Sequence, residues 1–209
     1  HSTLEELFLA SRLIRGLGSD SIDYRLRHAE FTPFEGVRWL GTSIASLSTL
    51  QSVLVFGSNL RKDHPLFAQR IRQAARHGCA VHSVNSVAYD WAMPVTTSVV
   101  VPASGWMRML AQIAAAVAEV KAIELPQDIA ETVGEPARAI AASLLAGERK
   151  AIFLGNGAAH HAQASSILAL VQWIATHTGA TFGYLSEAAN TVGAQFVGAQ
   201  PLGKGFNAA

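Results

Sequence analysis

The stretch that decides the fold is "VLVFGSNLRKDHPLFAQRIRQAARHG", residues 53–78. It opens on an apolar β-branched run, turns at Gly57-Ser58-Asn59, and crosses a charged loop. It then reads as a helix opened by Pro65 and closed by Gly78. On that helix Phe67, Ile71, Ala74 and Ala75 share one face, and Arg70, Arg72, Gln73 and Arg76 lie largely on the other. Strand, glycine turn and helix in this order suit a buried parallel sheet and place a glycine turn where a phosphate could be held.

Working outward, the same order returns. Cys79 to Val84 and Thr97 to Val101 read as further strands. Pro102 and Gly105 precede an alanine-rich helix that runs to about Lys121. A boundary is expected near 123–135, then a short helix from Pro136 to near Gly147 and a strand at Ala151 to Leu154. "GNGAAHH" is a second glycine turn, and His160 to Thr178 a helix ended by Gly179. At the front, Leu4, Leu7, Phe8, Ser11, Ile14 and Leu17 form a helical stripe that stops at Gly16 and Gly18. The polar segment after it reads as a surface connection. This rhythm predicts an α/β fold with a mostly parallel sheet.

Composition narrows the function classes. The 209-residue chain has a net charge of +1, which gives no reason to expect a nucleic-acid surface. Charged residues are 15%, against roughly 25% in ordinary soluble domains, and mean hydropathy is +0.24. The apolar stretches at 107–125 and 166–175 do not meet the requirement of about 20 apolar residues for a membrane span. Neither a spanning helix nor a signal peptide is read, so the expectation is a surface partly covered by other domains or subunits. The chain opens on His1 without an initiator methionine, so a processed chain or a segment of a longer one is expected. Cys79 is the only cysteine. The chain therefore cannot supply the usual four cysteines of an iron-sulfur cluster.

The two glycine turns, Gly57-Ser58-Asn59 and Gly155-Asn156-Gly157, are the places to look for a ligand, beyond the carboxyl ends of strands. Neither completes a nucleotide fingerprint. His160 stands where a third glycine would, no acidic residue follows about 20 residues on, and no G-K-[ST] follows either turn. Each turn reads either as a ligand cradle or as a structural strand-to-helix junction. His160 and His161 are adjacent and point about 100 degrees apart on a helix, so they cannot share a metal as an i, i+4 pair would. His77, Cys79 and His82 look metal-like in one dimension, but the odd offset from Cys79 to His82 puts those two on opposite strand faces. No metal site is expected. Arg61, Lys62, Arg70, Arg72 and Arg76 make a basic patch, either a solvated helix face or a site for an acidic partner. No serine or cysteine sits in a nucleophile motif.

Residues 53–86, 150–201 and 4–31 together resemble the molybdopterin oxidoreductase superfamily. The carriers are the G-x-N turn with a His-Pro after it, the later glycine turn, helix and T-G, and an "IDYR" crossover. "GSNLRKDHPL" and "GSDSIDYRLR" are most similar to the branch formed by the large iron-sulfur subunits of bacterial proton-pumping NADH:quinone oxidoreductase. The resemblance implies Rossmann-like parallel-sheet layers of the formate dehydrogenase/DMSO reductase type. It implies one α/β domain, 36–123, inserted into another formed by 1–35 with 124–209. It also implies that iron-sulfur clusters belong to a part of the parent subunit outside this sequence. The rest of that subunit and the other subunits of the respiratory NADH dehydrogenase are the implied partners. The implied location is cytoplasmic, peripheral to the inner membrane, with neither nucleic acid nor membrane insertion involved.

Where active members carry an Asp-Pro-Arg segment after the second strand, this chain has Val84-Asn85-Ser86-Val87. Where they carry glycine-threonine-aspartate, it has Ala103-Ser104-Gly105-Trp106. Acidic acceptors for ribose or guanine are missing from both places, and Trp106 is bulky where a ligand needs space. Gly57, Ser58, Asn59, His64, Gly155, Asn156 and Gly157 are therefore expected as a vestigial pterin-dinucleotide cradle, with the molybdopterin lost and no catalytic residue in the chain. Two alternatives stay open: an active molybdopterin-dinucleotide oxidoreductase of the formate dehydrogenase kind, and a stand-alone Rossmann-like binder of a small molecule.

Overall fold

A computed structural model describes residues 2–25, 30, 37–125 and 132–207. Five parallel strands form one sheet in the order β3-β2-β1-β4-β5. They are β1 (Ser52–Phe56), β2 (Ala80–Asn85), β3 (Thr97–Val100), β4 (Lys150–Leu154) and β5 (Thr181–Tyr184). Strands on either side of the 36–123 division share this sheet, because β1 pairs with β4 from Ser52 opposite Lys150 to Phe56 opposite Leu154. Part of the expected boundary near 123–135 lies outside the described residues.

β1 is buried along its whole length, which is why it reads as an uninterrupted apolar run and not as an alternating one. Leu54 and Phe56 face a layer built from helices α4 (Trp106–Lys121), α5 (Glu135–Leu145) and α7 (Ala164–Thr178). Val53 and Val55 face the opposite layer, built from α3 (Pro65–Arg76) and a short 3-10 helix at Ala45–Thr49. The chain is thus wound on both faces of the sheet. Alanines 111, 114, 115, 116 and 118 are all buried on α4. Such small side chains let α4 lie close to its neighbours with little polar surface, which accounts for part of the low charge content.

Helix termini follow their sequence signals. Thr3 and Glu6 form a reciprocal capping box on α1 (Leu4–Gly16), with Thr3 N donating to Glu6 Oε2 at 2.8 Å and Glu6 N donating to Thr3 Oγ1 at 3.2 Å. Pro65 starts α3, and Gly179 ends α7 in the left-handed conformation. The face of α1 is only partly covered: Ser11 is buried, whereas Leu9, Leu13 and Leu17 are 64%, 62% and 75% exposed. Among the described residues no helix is long and apolar enough to cross a membrane.

Two local expectations need correction. The charged loop after Asn59 contains a helical turn, α2 (Leu60–Asp63), because Asn59 O accepts from both Lys62 N and Asp63 N while Leu60 is fully buried. The helix expected from His160 begins only at Ala164, as α7, after a turn at 160–163, and the second glycine turn before it contains a helical turn, α6 (Asn156–Ala159). Edge strand β5 and helix α8 (Thr191–Phe196) complete the described elements.

Candidate functional site

In an open parallel sheet, the loops of neighbouring strands leave in opposite directions where the winding reverses, and a crevice opens beyond their carboxyl ends. Here that point lies between β1 and β4. The turns that follow those strands are Gly57-Ser58-Asn59 and Gly155-Asn156-Gly157, so the structure brings the two sequence candidates together. Asn85 ends β2 at the same edge, and Trp106 begins α4.

The crevice is closed by the chain itself. Gly155 N donates to Phe56 O at 2.8 Å, and Gly157 N donates to Gly57 O at 2.9 Å. A Cβ built on Gly155 would stand 2.3 Å from Ser58 Cβ and 2.5 Å from Gly57 O. Gly57 needs a positive φ of +66°, and its Cβ would stand 2.8 Å from Ala158 N and 3.1 Å from the Trp106 ring. At Gly157 the nearest atom to a Cβ is Trp106 Cη2, at 2.8 Å. These glycines are required by the contact of one turn with the other and with an indole.

Trp106 is 4% exposed. Its ring packs edge-on against Phe56, with centroids 5.3 Å apart, and stacks on His161 at 5.7 Å. His161 Nε2 lies 3.1 Å from Ala103 O, which ties the turn after α6 to the segment before α4. Among the described residues the indole Nε1 has no hydrogen-bond partner, and neither do Ser58 Oγ, Asn85 Nδ2 or Asn156 Oδ1. One ordered water apiece would satisfy such atoms.

Whether a pterin dinucleotide fits can be judged from the donors. Phosphates take backbone N–H groups at glycine turns. Here the N–H groups of Gly155 and Gly157 are committed to carbonyls. Asn59 N donates to Asp63 Oδ2 at 3.2 Å, which puts a carboxylate of the chain beside that turn. An anion would meet both a used donor and a like charge. With Trp106 against both turns, the residues do not fit a dinucleotide, and no chemistry is derived through one.

His64, the remaining member of the expected cradle, stacks on Phe67 with centroids 5.7 Å apart. Its Nε2 lies 2.9 Å from Ser186 O, so it ties the start of α3 to the loop after β5. His160 Nε2 pairs with Glu187 Oε2 at 2.9 Å, again toward that loop. The sequence offered no sign of these partners, nor of the carboxylate of Asp63 at the first turn.

The other candidates behave as packed groups. Cys79 is buried, and desolvation pushes its thiol up to about 11, so it is neither a nucleophile nor a thiolate ligand at neutral pH. His82 is 1% exposed, and neither ring nitrogen has a hydrogen-bond partner among the described residues. Burial lowers its pKa to about 4. Among the described residues no group of His, Cys, Asp or Glu is placed to hold a metal ion.

A family model described as molybdopterin oxidoreductase matches residues 1–208. No curated protein sequence matches the chain significantly. Among solved structures, one similar chain belongs to the formyltransferase/hydrolase complex (FhcABCD) from Methylorubrum extorquens in complex with methylofuran. It is 16% identical with a TM-score of 0.44, and the match covers 70% of this chain and 39% of that one. A likeness that distant carries no argument.

Proposed function

The chain belongs to the molybdopterin oxidoreductase family, and on that premise we propose that it is a non-catalytic scaffold segment. Its parent in this reading is the large iron-sulfur subunit of a bacterial NADH:quinone oxidoreductase. There it supports electron transfer from NADH to quinone without holding a redox centre of its own. The observation that carries the non-catalytic half is the position of Trp106 against Gly57 and Gly157, the turns at which the resemblance implies a pterin dinucleotide. The "GSNLRKDHPL" and "GSDSIDYRLR" wording supports the choice of parent. The exposed Leu9, Leu13 and Leu17 stripe suits a segment that other parts of a subunit or complex cover.

Co-purification tests this. An antibody against the chain, applied to detergent-solubilised membranes, is expected to bring down NADH:quinone reductase activity with iron-sulfur subunits, while the isolated chain shows no NADH:ferricyanide turnover. Recovery of the chain apart from any NADH-oxidising assembly refutes the parent. Turnover by the isolated chain, with contaminants excluded, refutes the scaffold role.

A further inference from the structure

On the face of the sheet away from the glycine turns' indole, the sequence leaves a basic segment that the proposed function does not use. Residues 60–76 with Asp90 carry Arg61, Lys62, Arg70, Arg72 and Arg76 against two carboxylates, Asp63 and Asp90. That is a net +3, and since the whole chain is +1, the remainder carries −2. A pocket of about 150 Å³ is cut into this segment, with Pro65, Ala68, Trp91 and Met93 as its apolar lining and Arg61 and Arg72 at its rim.

The pocket is built rather than left over. Trp91 is 8% exposed, and it is held inward by the residues around it. Asp90 Oδ1 accepts from Ala92 N at 3.0 Å, an Asx-type turn that keeps Ala92 at a φ of +51°. Arg61 in turn donates to Asp90 Oδ2, which fixes one side of the rim. Arg72, at the other side, makes no ion pair among the described residues. Arg76 follows one turn along the same flank of α3, whereas Arg70 sits about 200 degrees round the helix from Arg72. The rim therefore presents an unpaired guanidinium beside an apolar hole for one side chain.

We infer that this pocket docks an acidic protein segment, with one apolar side chain in the hole over Trp91 and a flanking carboxylate on Arg72. A guanidinium takes a carboxylate with two parallel hydrogen bonds, and the apolar anchor supplies the burial that a surface ion pair lacks. The inference is independent of the proposed parent, and its failure leaves that reading untouched.

The test is fluorescence anisotropy at low salt with the full chain and a labelled hexapeptide, Glu-Glu-Asp-Leu-Glu-Glu. Saturable binding is expected, and Arg72→Glu should weaken it about ten-fold, as reversal of a rim charge next to a buried anchor does. Arg70→Glu, on the other flank, is the control and should leave the affinity within about two-fold. Replacing the peptide's Leu by Ser should abolish saturation. The inference is overturned by an absence of binding or by equal binding of the Leu and Ser peptides. Equal losses in the Arg70 and Arg72 variants overturn it too, as does tighter capture of single-stranded RNA or phosphatidylglycerol vesicles than of the peptide. Circular dichroism confirms that both exposed-site variants are folded.

Discussion

Trp106→Ala separates a structural indole from a movable lid. The side chain is 4% exposed, and its truncation removes the contact with Phe56 and the packing against both glycine turns. Deleting a buried tryptophan costs about 3–5 kcal/mol when the site cannot collapse. The backbone of the two turns is pinned by the Gly157 to Gly57 hydrogen bond at 2.9 Å, so little collapse is expected. One effect opposes this: Nε1 is buried without a partner among the described residues, and removing it recovers part of a penalty of roughly 1–3 kcal/mol. The net expectation is a loss of about 3 kcal/mol. Trp106→Phe keeps a ring and loses the unpaired N–H, so it should cost only about 1 kcal/mol. Urea unfolding at fixed pH, followed by far-ultraviolet circular dichroism with an unchanged m-value, measures both. If Trp106→Ala costs less than about 1 kcal/mol, or if GMP or GDP stabilises the wild-type chain, the indole is not what fills the crevice and the reasoning fails.

Other perturbations probe the rest. Gly155→Ala places a Cβ 2.5 Å from Gly57 O and should cost more than about 3 kcal/mol or prevent folding, whereas Gly16→Ala, with nothing within 4 Å, should be neutral or stabilise by up to about 1 kcal/mol; similar midpoints for the two in denaturant would contradict the closed turns. His82 stays neutral in the folded chain down to about pH 4, while the unfolded chain takes up a proton below its ordinary value of 6.5. The stability that depends on a neutral ring is therefore complete above pH 6.5 and falls by about 3 kcal/mol as pH drops toward 4. His82→Leu should flatten the pH dependence over that window, and an unaltered acid midpoint would show that other groups control it. The isolated chain should self-associate or bind an apolar-surface dye through α1, and Leu13→Glu should suppress both; sedimentation showing a strict, dye-silent monomer would remove the support for a covered surface.

The sequence made the central strands legible because burial on both faces leaves an uninterrupted apolar run, as in 53–56 and 151–154. α3 was legible from Pro65 and its apolar face. β5 was not, since Thr181–Tyr184 is an edge strand with an exposed first residue and a glycine inside. α2 escaped because its turn is held by Asn59 O and the burial of Leu60, neither of which has a periodic signature. At the site, the glycines and the bulk of Trp106 were visible in the chain. The closing contacts were not: Gly157 to Gly57 and His64 to Ser186 join turns far apart in sequence, and the local bond from Asn59 to Asp63 depends on the helical turn that the sequence did not show.

We propose that the chain keeps the glycine turns at which its family resemblance implies a pterin dinucleotide, while its own indole occupies the ligand's place. The most direct test of this is molybdenum and tungsten per chain, measured by elemental mass spectrometry together with fluorescence of oxidised pterin, on the parent protein purified from cells grown with both metals. The account predicts background metal and no pterin. Stoichiometric metal with the fluorescent pterin would contradict it and establish the active molybdopterin-dinucleotide oxidoreductase instead.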